Sequence, residues 1–186
     1  MTRIVAGRYG GRRLLTPPGP ATRPTSERVR EAVFSRLDHL GVLTGARVLD
    51  LYAGAGSLGL EAASRGASEV VLVDVARAAT AVAAKNVAAL EVPAARVITA
   101  DVVRYLARPA PPGPGFDVVL LDPPYELAEA GLAQVLSALA EPGWLEPAAL
   151  VVVERSVRSP EPSWPRGWGA VTARRYGETA VWSVAP

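Results

Sequence analysis

Apolar strand patterns alternate with helical patterns over most of the chain, from residue 47 onward. Seven short segments rich in Val, Leu and Ile indicate buried strands, at residues 48–51, 69–74, 96–99, 116–122, 149–154, 170–176 and 180–184. Helical spacing of apolar residues lies between them, at residues 58–65, 76–89, 101–106 and 128–140. Strands separated by helices pair in parallel, whereas only Gly177 and Glu178 join the last two segments. The pattern predicts an α/β domain with a seven-stranded doubly wound sheet and an antiparallel edge.

A smaller element precedes this domain. Residues 3–15 contain two strand-like segments around a glycine turn, which predicts a hairpin with too little apolar material for its own core. We expect it either to dock on the main domain or to stay mobile until a polyanion orders it. A proline-rich connector follows, and then Thr25 or Ser26 is expected to cap a helix that runs to about residue 40. The expected division is an arm over residues 1–23 and a domain over residues 24–186.

A glycine-rich loop joins the first strand of the domain to its first helix. Gly54, Gly56 and Gly59 match G-x-G-x-x-G, and Asp50 interrupts the strand four residues before the first glycine. Glycine permits a tight turn, close approach of the backbone to a ligand, and close packing of helix on strand. Ligands of open α/β sheets bind at the carboxyl ends of the strands, where Asp50 lies. The alternative interpretation is that these residues only shape a turn.

A second signature, Asp122-Pro123-Pro124-Tyr125, follows another apolar strand. The two signatures together resemble S-adenosylmethionine-dependent methyltransferases that act on amino nitrogens. Such a nitrogen is a poor nucleophile because its lone pair is delocalised, so the enzyme must reshape it and hold it in line with the methyl group. The Asp122 carboxylate and the Pro123 carbonyl would accept from the amine, and Tyr125 would stack on a base taken out of its helix. The alternative is a proline-bounded turn with Tyr125 as a packing residue.

The cofactor implied by this resemblance is S-adenosylmethionine, and acidic residues at strand ends are expected around it. Asp74 lies 20 residues after Gly54, where an acid accepts hydrogen bonds from ribose hydroxyls. Asp101 would contact the adenine amino group, and Asp50 would neutralise or orient the positively charged methionine end. Helix capping is the alternative for both Asp74 and Asp101. The expected cofactor-binding set is completed by Tyr52, Val75 and Val102.

The composition is that of a compact protein without a metal site. Hydrophobic residues make up 49% of the 186 residues and charged residues 20%, which argues against disorder. No apolar run approaches the ~20 residues of a membrane helix, and no secretory signal is visible. The absence of cysteine excludes disulfides and thiolate sites, and with one histidine, His39, we expect neither a zinc enzyme nor a serine triad. A cytoplasmic enzyme without bound metal is expected.

Arginine is concentrated near the amino terminus, although the formal net charge is only +2. Residues 3–36 hold eight arginines and two glutamates. Solvated charge is the ordinary fate of such a run, but the clustering favours phosphate contacts, which position a nucleic acid without reading its sequence. Arg28 and Arg30 are assigned to the polar side of a helix whose apolar side holds Val33 and Phe34. The expected RNA-binding residues are Arg3, Arg8, Arg12, Arg13, Arg23, Arg28 and Arg30.

Four segments taken together resemble one family. They are RIVAGRYGGRRL at 3–14, RPTSERVREAVF at 23–34, VLDLYAGAGSLGLEAASRGA at 48–67 and LLDPPY at 120–125. The chain resembles the bacterial methyltransferases that modify guanine N2 in small-subunit ribosomal RNA, the RsmD family. The last two segments indicate amino-methyltransferases generally, whereas the first two are the discriminating ones. One departure is Tyr52, where phenylalanine is expected more often.

The resemblance implies a single Rossmann-like class I methyltransferase domain that methylates the N2 amine of a guanine in small-subunit ribosomal RNA. The cofactor site would then be lined by Asp50, Gly54, Gly56, Asp74 and Asp101, and residues 122–125 would bind the guanine amine. The expected partner is ribosomal RNA within an assembling particle, and the protein is expected to be a monomer that does not bind membranes.

Two other functions stay open at this point. The first is a methyltransferase of another polymer, acting on DNA adenine or protein glutamine. Asp rather than Asn at position 122 disfavours a protein substrate, and the lack of a separate sequence-reading domain disfavours site-specific DNA. The second is a cofactor-binding ribosome-assembly factor without catalysis, against which the intact Asp122–Tyr125 signature argues.

Overall fold

The computed structural model describes residues 2–17 and 27–186. The main sheet holds seven strands: β3 (Arg47–Leu51), β4 (Glu69–Asp74), β5 (Ala95–Thr99), β6 (Phe116–Leu121), β7 (Leu145–Ser156), β8 (Thr172–Tyr176) and β9 (Thr179–Val184). Their order is β5-β4-β3-β6-β7-β9-β8. The first five pair in parallel, and β9 runs antiparallel to both β7 and β8. The doubly wound sheet with an antiparallel edge is confirmed.

Helices cover both faces of the sheet. They are α1 (Glu27–His39), α2 (Ser57–Ser64), α3 (Arg77–Leu90), α4 (Val102–Leu106) and α5 (Glu129–Leu139). Helices α1, α2 and α3 share one apolar core, and α4 and α5 share the other. In β3, Val48 belongs to the first core and Leu49 and Leu51 to the second, because side chains alternate along a strand. With both faces covered, the central strands are apolar on both sides.

The strand order reverses between β3 and β6. From β3 the chain proceeds outward to β4 and β5, and it then returns to the other side of β3 to form β6. A crevice opens at the carboxyl ends of two strands where their connections diverge in this way, and ligands of doubly wound sheets bind there. We therefore expect a ligand to bind at the residues that follow β3, β4 and β6.

The amino-terminal hairpin docks on the main domain. Its strands β1 (Thr2–Arg3) and β2 (Arg13–Leu14) are only two residues long, shorter than the segments expected from the sequence. Ile4, Tyr9 and Leu14 are nevertheless buried in the core that α1, α2 and α3 share. Of the two outcomes expected for this element, docking is the one observed.

Side chains of the main domain hold the backbone of the hairpin. Glu61 accepts from the amides of Val5 and Ala6 at 2.7 and 3.1 Å. Ser64 Oγ accepts from the amide of Tyr9 at 2.9 Å. These bonds satisfy backbone groups that two-residue strands leave without ladder partners.

Asn86, buried on α3, binds the end of the hairpin and a second loop at the same time. Its Oδ1 accepts from the amide of Leu15 at 2.8 Å. Its Nδ2 donates to the carbonyls of Leu15 and Ala55, both at 3.0 Å. Ala55 belongs to the glycine loop after β3, so one side-chain amide connects the hairpin to that loop.

Arg30 was expected on the polar side of α1, and this prediction is wrong because the residue is buried. Its side chain is 1% exposed, its Nη2 donates to the carbonyl of Arg3 at 2.6 Å, and its Nε lies 3.8 Å from Glu61. The reason is its position three and four residues before Val33 and Phe34, which places it on the apolar stripe itself. An inaccessible guanidinium cannot contact RNA, so Arg30 is removed from the RNA-binding set.

Other boundaries differ in smaller ways. β7 begins at Leu145 rather than at 149, because Leu145 pairs with Phe116 before a register shift in the ladder. The expected caps Thr25 and Ser26 lie outside the described residues. No helix in the described part of the chain combines the length and the apolar character that a membrane span requires.

Candidate functional site

The carboxyl ends of three neighbouring strands stand level at the reversal point. Leu51 of β3 pairs with Val73 of β4 on one side and with Leu121 of β6 on the other. The next residues along these strands, Tyr52, Asp74 and Asp122, therefore leave the sheet side by side. Neighbouring strands lie about 4.8 Å apart, so these side chains border one crevice.

Asp50 lies beneath this crevice and is 1% exposed. Its Oδ2 accepts from the amide of Gly59 in α2 at 2.8 Å, whereas no donor among the described residues reaches its buried Oδ1. Burial raises the pKa of Asp50 to about 8, the bond from Gly59 opposes the rise, and the charges of Asp122 and Asp74 add to it. Below about pH 8 we therefore expect Asp50 to hold a proton, which a cation at Oδ1 would displace.

The proton on Asp50 predicts a pH-dependent stability. Unfolded Asp titrates near pH ~4, so between about pH 4 and pH 8 the folded state binds a proton that the unfolded state lacks. The free energy of unfolding should therefore fall as pH rises through this window, by up to ~1.4 kcal/mol per unit, and level off above it. Denaturant titrations of the ligand-free protein at several pH values measure the slope. Asp50→Asn should flatten it, and equal slopes in both proteins would contradict the assignment.

Two glycines of the loop are required by the geometry. Gly56 has φ 85°, in the left-handed region. At Gly59 a Cβ would lie 2.3 Å from Leu72 Cδ2 and 2.8 Å from Val70 Cγ1, both on β4. A side chain at residue 59 would push α2 away from the sheet and lengthen the bond between its amide and Asp50. The glycine pattern thus serves helix packing and positions a buried acid.

Asp74 organises the rim of the crevice. Its Oδ2 accepts from the amide of Gly54 and its Oδ1 from the amide of Ala76, both at 2.8 Å. The residue at the N-cap of α3 is Ala76, which has no capping side chain, so Asp74 satisfies an amide just before the helix. Each carboxylate oxygen accepts more than one bond, so this arrangement leaves capacity for ribose hydroxyls. The ribose contact stays a prediction.

The other expected cofactor residues differ in what they expose. Asp101 caps α4 by accepting from the amide of Arg104 at 3.0 Å, so the capping role is present and the adenine contact is untested. Val75 is 63% exposed, whereas the Val102 side chain is 3% exposed and leaves only its backbone amide for a ligand. Tyr52, with φ 62°, is half-buried, and burial raises its pKa to about 12.

The signature after β6 forms an exposed loop at the same edge of the sheet. Pro124 and Tyr125 are exposed, with 53% of Tyr125 accessible, while Asp122 is half-buried. Among the described residues no donor reaches the carbonyl oxygen of Pro123. The loop therefore places the carbonyl of Pro123, a buried residue, next to the half-buried Asp122 carboxylate and an accessible aromatic ring.

The arginines assigned to RNA fall into separate groups. Arg8, Arg13 and Arg28 are exposed. Arg3 is also exposed but pairs with Glu27, and Arg12 donates to the carbonyl of Ala89 at 2.6 Å. Arg23 lies outside the described residues.

Sequence reasoning missed one functional candidate, Arg155. The strand was expected to end at residue 154, yet β7 continues to Ser156 and buries Arg155 beside the loop after β6. The available signal was two charged residues, Glu154 and Arg155, that close the apolar run 149–153 near the carboxyl end of β7. The same signal identified Asp74 and Asp122.

Comparisons with known proteins identify the family. The sequence family described as "Conserved hypothetical protein 95" matches residues 2–185. Ribosomal RNA small subunit methyltransferase D from Escherichia coli (strain K12) is 36% identical over 178 residues, which cover 96% of this chain and 86% of the relative. The solved structure of the protein yhhF from Escherichia coli has a TM-score of 0.86 at 34% identity and covers 98% of this chain and 96% of its own.

A more distant structure shares the fold. Magnesium protoporphyrin IX methyltransferase (ChlM) from Synechocystis PCC 6803, solved with bound SAM, has a TM-score of 0.61 at 16% identity and covers 84% of this chain and 77% of its own. This likeness concerns the class I methyltransferase fold alone. The family is decided by the match over nearly the whole sequence and by the Escherichia coli relative. The chain belongs to the RsmD family of small-subunit ribosomal RNA methyltransferases.

Proposed function

We propose that this protein methylates the exocyclic N2 amine of a guanine in small-subunit ribosomal RNA. S-adenosylmethionine is the cofactor, in agreement with the family and with the SAM-bound structure of the same fold. One observation carries the proposal. The Asp122–Tyr125 loop follows β6, which pairs directly with β3, and Asp50 lies near the carboxyl end of β3. A methyl donor over β3 and an amine over β6 would be neighbours there.

The residues at the strand ends fit the cofactor. Buried Asp50 Oδ1 lacks a donor, and the cationic methionine end of the cofactor would supply one while favouring loss of the proton from Asp50. Asp74 would accept from the ribose, and exposed Val75 would cover the adenine. When bound, the cofactor supplies an electrophilic methyl group on a sulfonium.

The loop after β6 would prepare the nucleophile. The Asp122 carboxylate and the free carbonyl oxygen of Pro123 would each accept one hydrogen of the guanine amine, which directs the nitrogen lone pair toward the methyl group. Tyr125, half accessible, would stack on the extruded base. Proton loss can follow methyl transfer, so this chemistry requires no strongly basic side chain.

The exposed arginines of the amino-terminal region would hold the RNA. Arg13 stands opposite Arg3 in the hairpin, and Arg3 pairs with Glu27, which precedes Arg28. Arg13 and Arg28 thus lie on either side of one ion pair. In the part of the chain that the structure describes, neither has a partner of its own. We infer that both contact phosphates of folded ribosomal RNA within an assembling particle, to which the protein binds as a monomer.

Neutralising these two arginines predicts a specific change in RNA binding. Arg13→Gln with Arg28→Gln should weaken binding to ribosomal RNA and flatten the dependence of log affinity on log salt, by about 0.7–0.9 for each phosphate that the protein no longer neutralises. Titrations at several salt concentrations measure both effects. Arg166→Gln, an exposed arginine in the segment between β7 and β8, is the control and should match the unmodified protein. Equal slopes in all three proteins would leave the amino-terminal charge without an RNA role.

Mass spectrometry of nucleosides tests the proposed reaction. Ribosomal RNA from cells that lack the protein should lose one N2-methylguanosine from the small subunit, and adding back the active protein with S-adenosylmethionine should restore it. Loss of a methylated adenosine, or of methylation on DNA or on a protein, would assign another substrate. Normal modification in the absence of the protein would favour the non-catalytic assembly factor.

A further inference from the structure

Arg155 is a buried cation next to the proposed catalytic loop. It lies near the end of β7 and is 3% exposed. Its Nη2 donates to the carbonyl of Leu127 at 2.9 Å and to Glu129 Oε1 at 2.5 Å, and its Nη1 lies 3.4 Å from the carbonyl of Pro124. One guanidinium therefore connects the sheet, the loop after β6 and the first residue of α5.

The loop between β6 and α5 is also held by Leu127, which packs against the core that α4 and α5 share, and by a hydrogen bond within its own backbone. Its two prolines carry no amide hydrogen, and its internal hydrogen bond runs from the amide of Leu127 to the carbonyl of Pro124, at 2.9 Å. Arg155 donates to the carbonyls of both residues that close this turn, Pro124 and Leu127. Tyr125 lies between them in sequence, and Asp122 and Pro123 come directly before. Movement of the turn would therefore displace both amine acceptors and the stacking ring.

Stability alone is a poor reason to bury the Arg155 guanidinium. Arg155 Nε and Glu129 Oε2 are buried and have no hydrogen-bond partner among the described residues. The Arg155 side chain is 3% exposed, whereas 34% of the Glu129 side chain is exposed. Burying a guanidinium beside a partner that stays partly in water is costly, and apolar residues of similar size often stabilise such positions equally well. The planar fork of arginine, however, fixes several acceptors in one geometry, which an apolar side chain cannot do.

Arg155 also acts on the cofactor side of the crevice. Its positive charge opposes the rise in the pKa of Tyr52, so the guanidinium lies within electrostatic reach of the residue that follows β3. The same side chain is thus close to the predicted cofactor edge and bonded to the predicted substrate loop.

We propose that Arg155, held by Glu129, is the positioning residue that keeps the Pro124–Leu127 turn in place, so that Asp122 and the Pro123 carbonyl stay aligned on the amine during methyl transfer. The inference rests on the proposed function of that loop. Arg155 does not touch the reacting atoms, and its effect is exerted through the loop.

Steady-state kinetics of substituted full-length proteins test this role. Arg155→Met should lower kcat by about ten- to a hundredfold, the scale of a misplacement near 1 Å. The affinity for S-adenosylmethionine, measured by calorimetry, should stay within about twofold. Arg155→Lys keeps the charge but lacks the fork, so it should recover only part of kcat. Glu129→Gln should reduce kcat in the same direction and by less.

Arg47 provides the matched control, because it begins β3 and so lies at the end of the strands that is remote from the crevice. It also connects a carboxylate, Glu69 at 2.8 Å, with a backbone carbonyl, Gly115 at 3.2 Å. Arg47→Met should lower stability and leave kcat unchanged at a temperature where the protein stays folded. If Arg155→Met behaves in the same way, with lower stability and unaltered kcat, the positioning role is overturned.

The assay separates this inference from the proposed function. Transfer of labelled methyl groups to small-subunit particles is counted whichever base receives them, so kcat is defined even if the base is not guanine. Unmodified protein that transfers no methyl group would overturn the proposed function. Active unmodified protein with equally active Arg155 variants would overturn the positioning role only. If Arg155→Met does not fold, Arg155→Lys and Glu129→Gln decide, and wild-type kcat in both would reject the role.

Discussion

Asp122→Ala is expected to lower turnover on the ribosomal substrate by about a hundredfold or more. The carboxylate would accept from the amine in the transition state, and the loss of such a positioned hydrogen-bonding partner typically costs ~3 kcal/mol or more. Affinity for S-adenosylmethionine should change little, because the contact proposed for Asp122 is to the amine. Single-turnover methyl transfer and calorimetry measure the two quantities separately.

Asp122→Asn is the companion variant. The amide keeps one acceptor oxygen at nearly the same place but loses the charge, so it should retain more activity than Asp122→Ala. Near-normal turnover of Asp122→Ala would remove this residue from the mechanism. A large loss of cofactor affinity in both variants would instead assign Asp122 to the cofactor site.

Glu61→Ala is expected to cost about 3–5 kcal/mol of stability, the range for a buried ion pair that loses one partner. Glu61 is fully buried, accepts from the amides of Val5 and Ala6, bonds Arg65 at 2.8 Å and faces Arg30 at 3.8 Å. Its removal would leave the Arg30 cation buried without its carboxylate. Denaturant unfolding measures the loss, and hydrogen exchange should show the hairpin opening first.

Glu69→Ala is the control for this substitution. Glu69 also pairs with two arginines, Arg47 and Arg96, but 22% of its side chain is exposed and 66% of that of Arg96. Partly exposed pairs contribute less than fully buried ones, so the control should cost less than Glu61→Ala. Equal losses at the two sites would show that the full burial of Glu61 adds nothing to its contribution to stability. Deletion of the hairpin is a poor test of RNA binding. It would also leave buried groups of the main domain without their hydrogen-bond partners and so lower stability.

The sheet and the crevice could be predicted because their signals are local. β4 and β6 each contain a run of four apolar residues, at 70–73 and 118–121. The glycines at 56 and 59 leave a pattern that the φ angle of one and the packing of the other explain. The acids at strand ends were identifiable for a similar reason, since each interrupts or closes an apolar run. Which hydrogen bonds each acid makes in the folded chain was not encoded in that pattern.

The misassignments concern contacts between distant segments. Arg30 reads as a polar residue within one helix, and only the docking of the hairpin and of Glu61 explains why a charge occupies the apolar stripe. Arg155 and Glu129 are 26 residues apart, and nothing in either local pattern indicates that they meet. Partners of this kind depend on the tertiary arrangement rather than on periodicity.

The amide of Asn86 has a consequence for how the sequence can vary within the family. It satisfies both backbone groups of Leu15 and the carbonyl of Ala55 from one buried position. Aspartate would lack the two donors, and leucine would lack both donors and acceptor and so leave three partly buried backbone groups without this partner. Relatives that replace Asn86 are therefore expected to change the end of the hairpin and the glycine loop as well, so the three positions should vary together rather than independently.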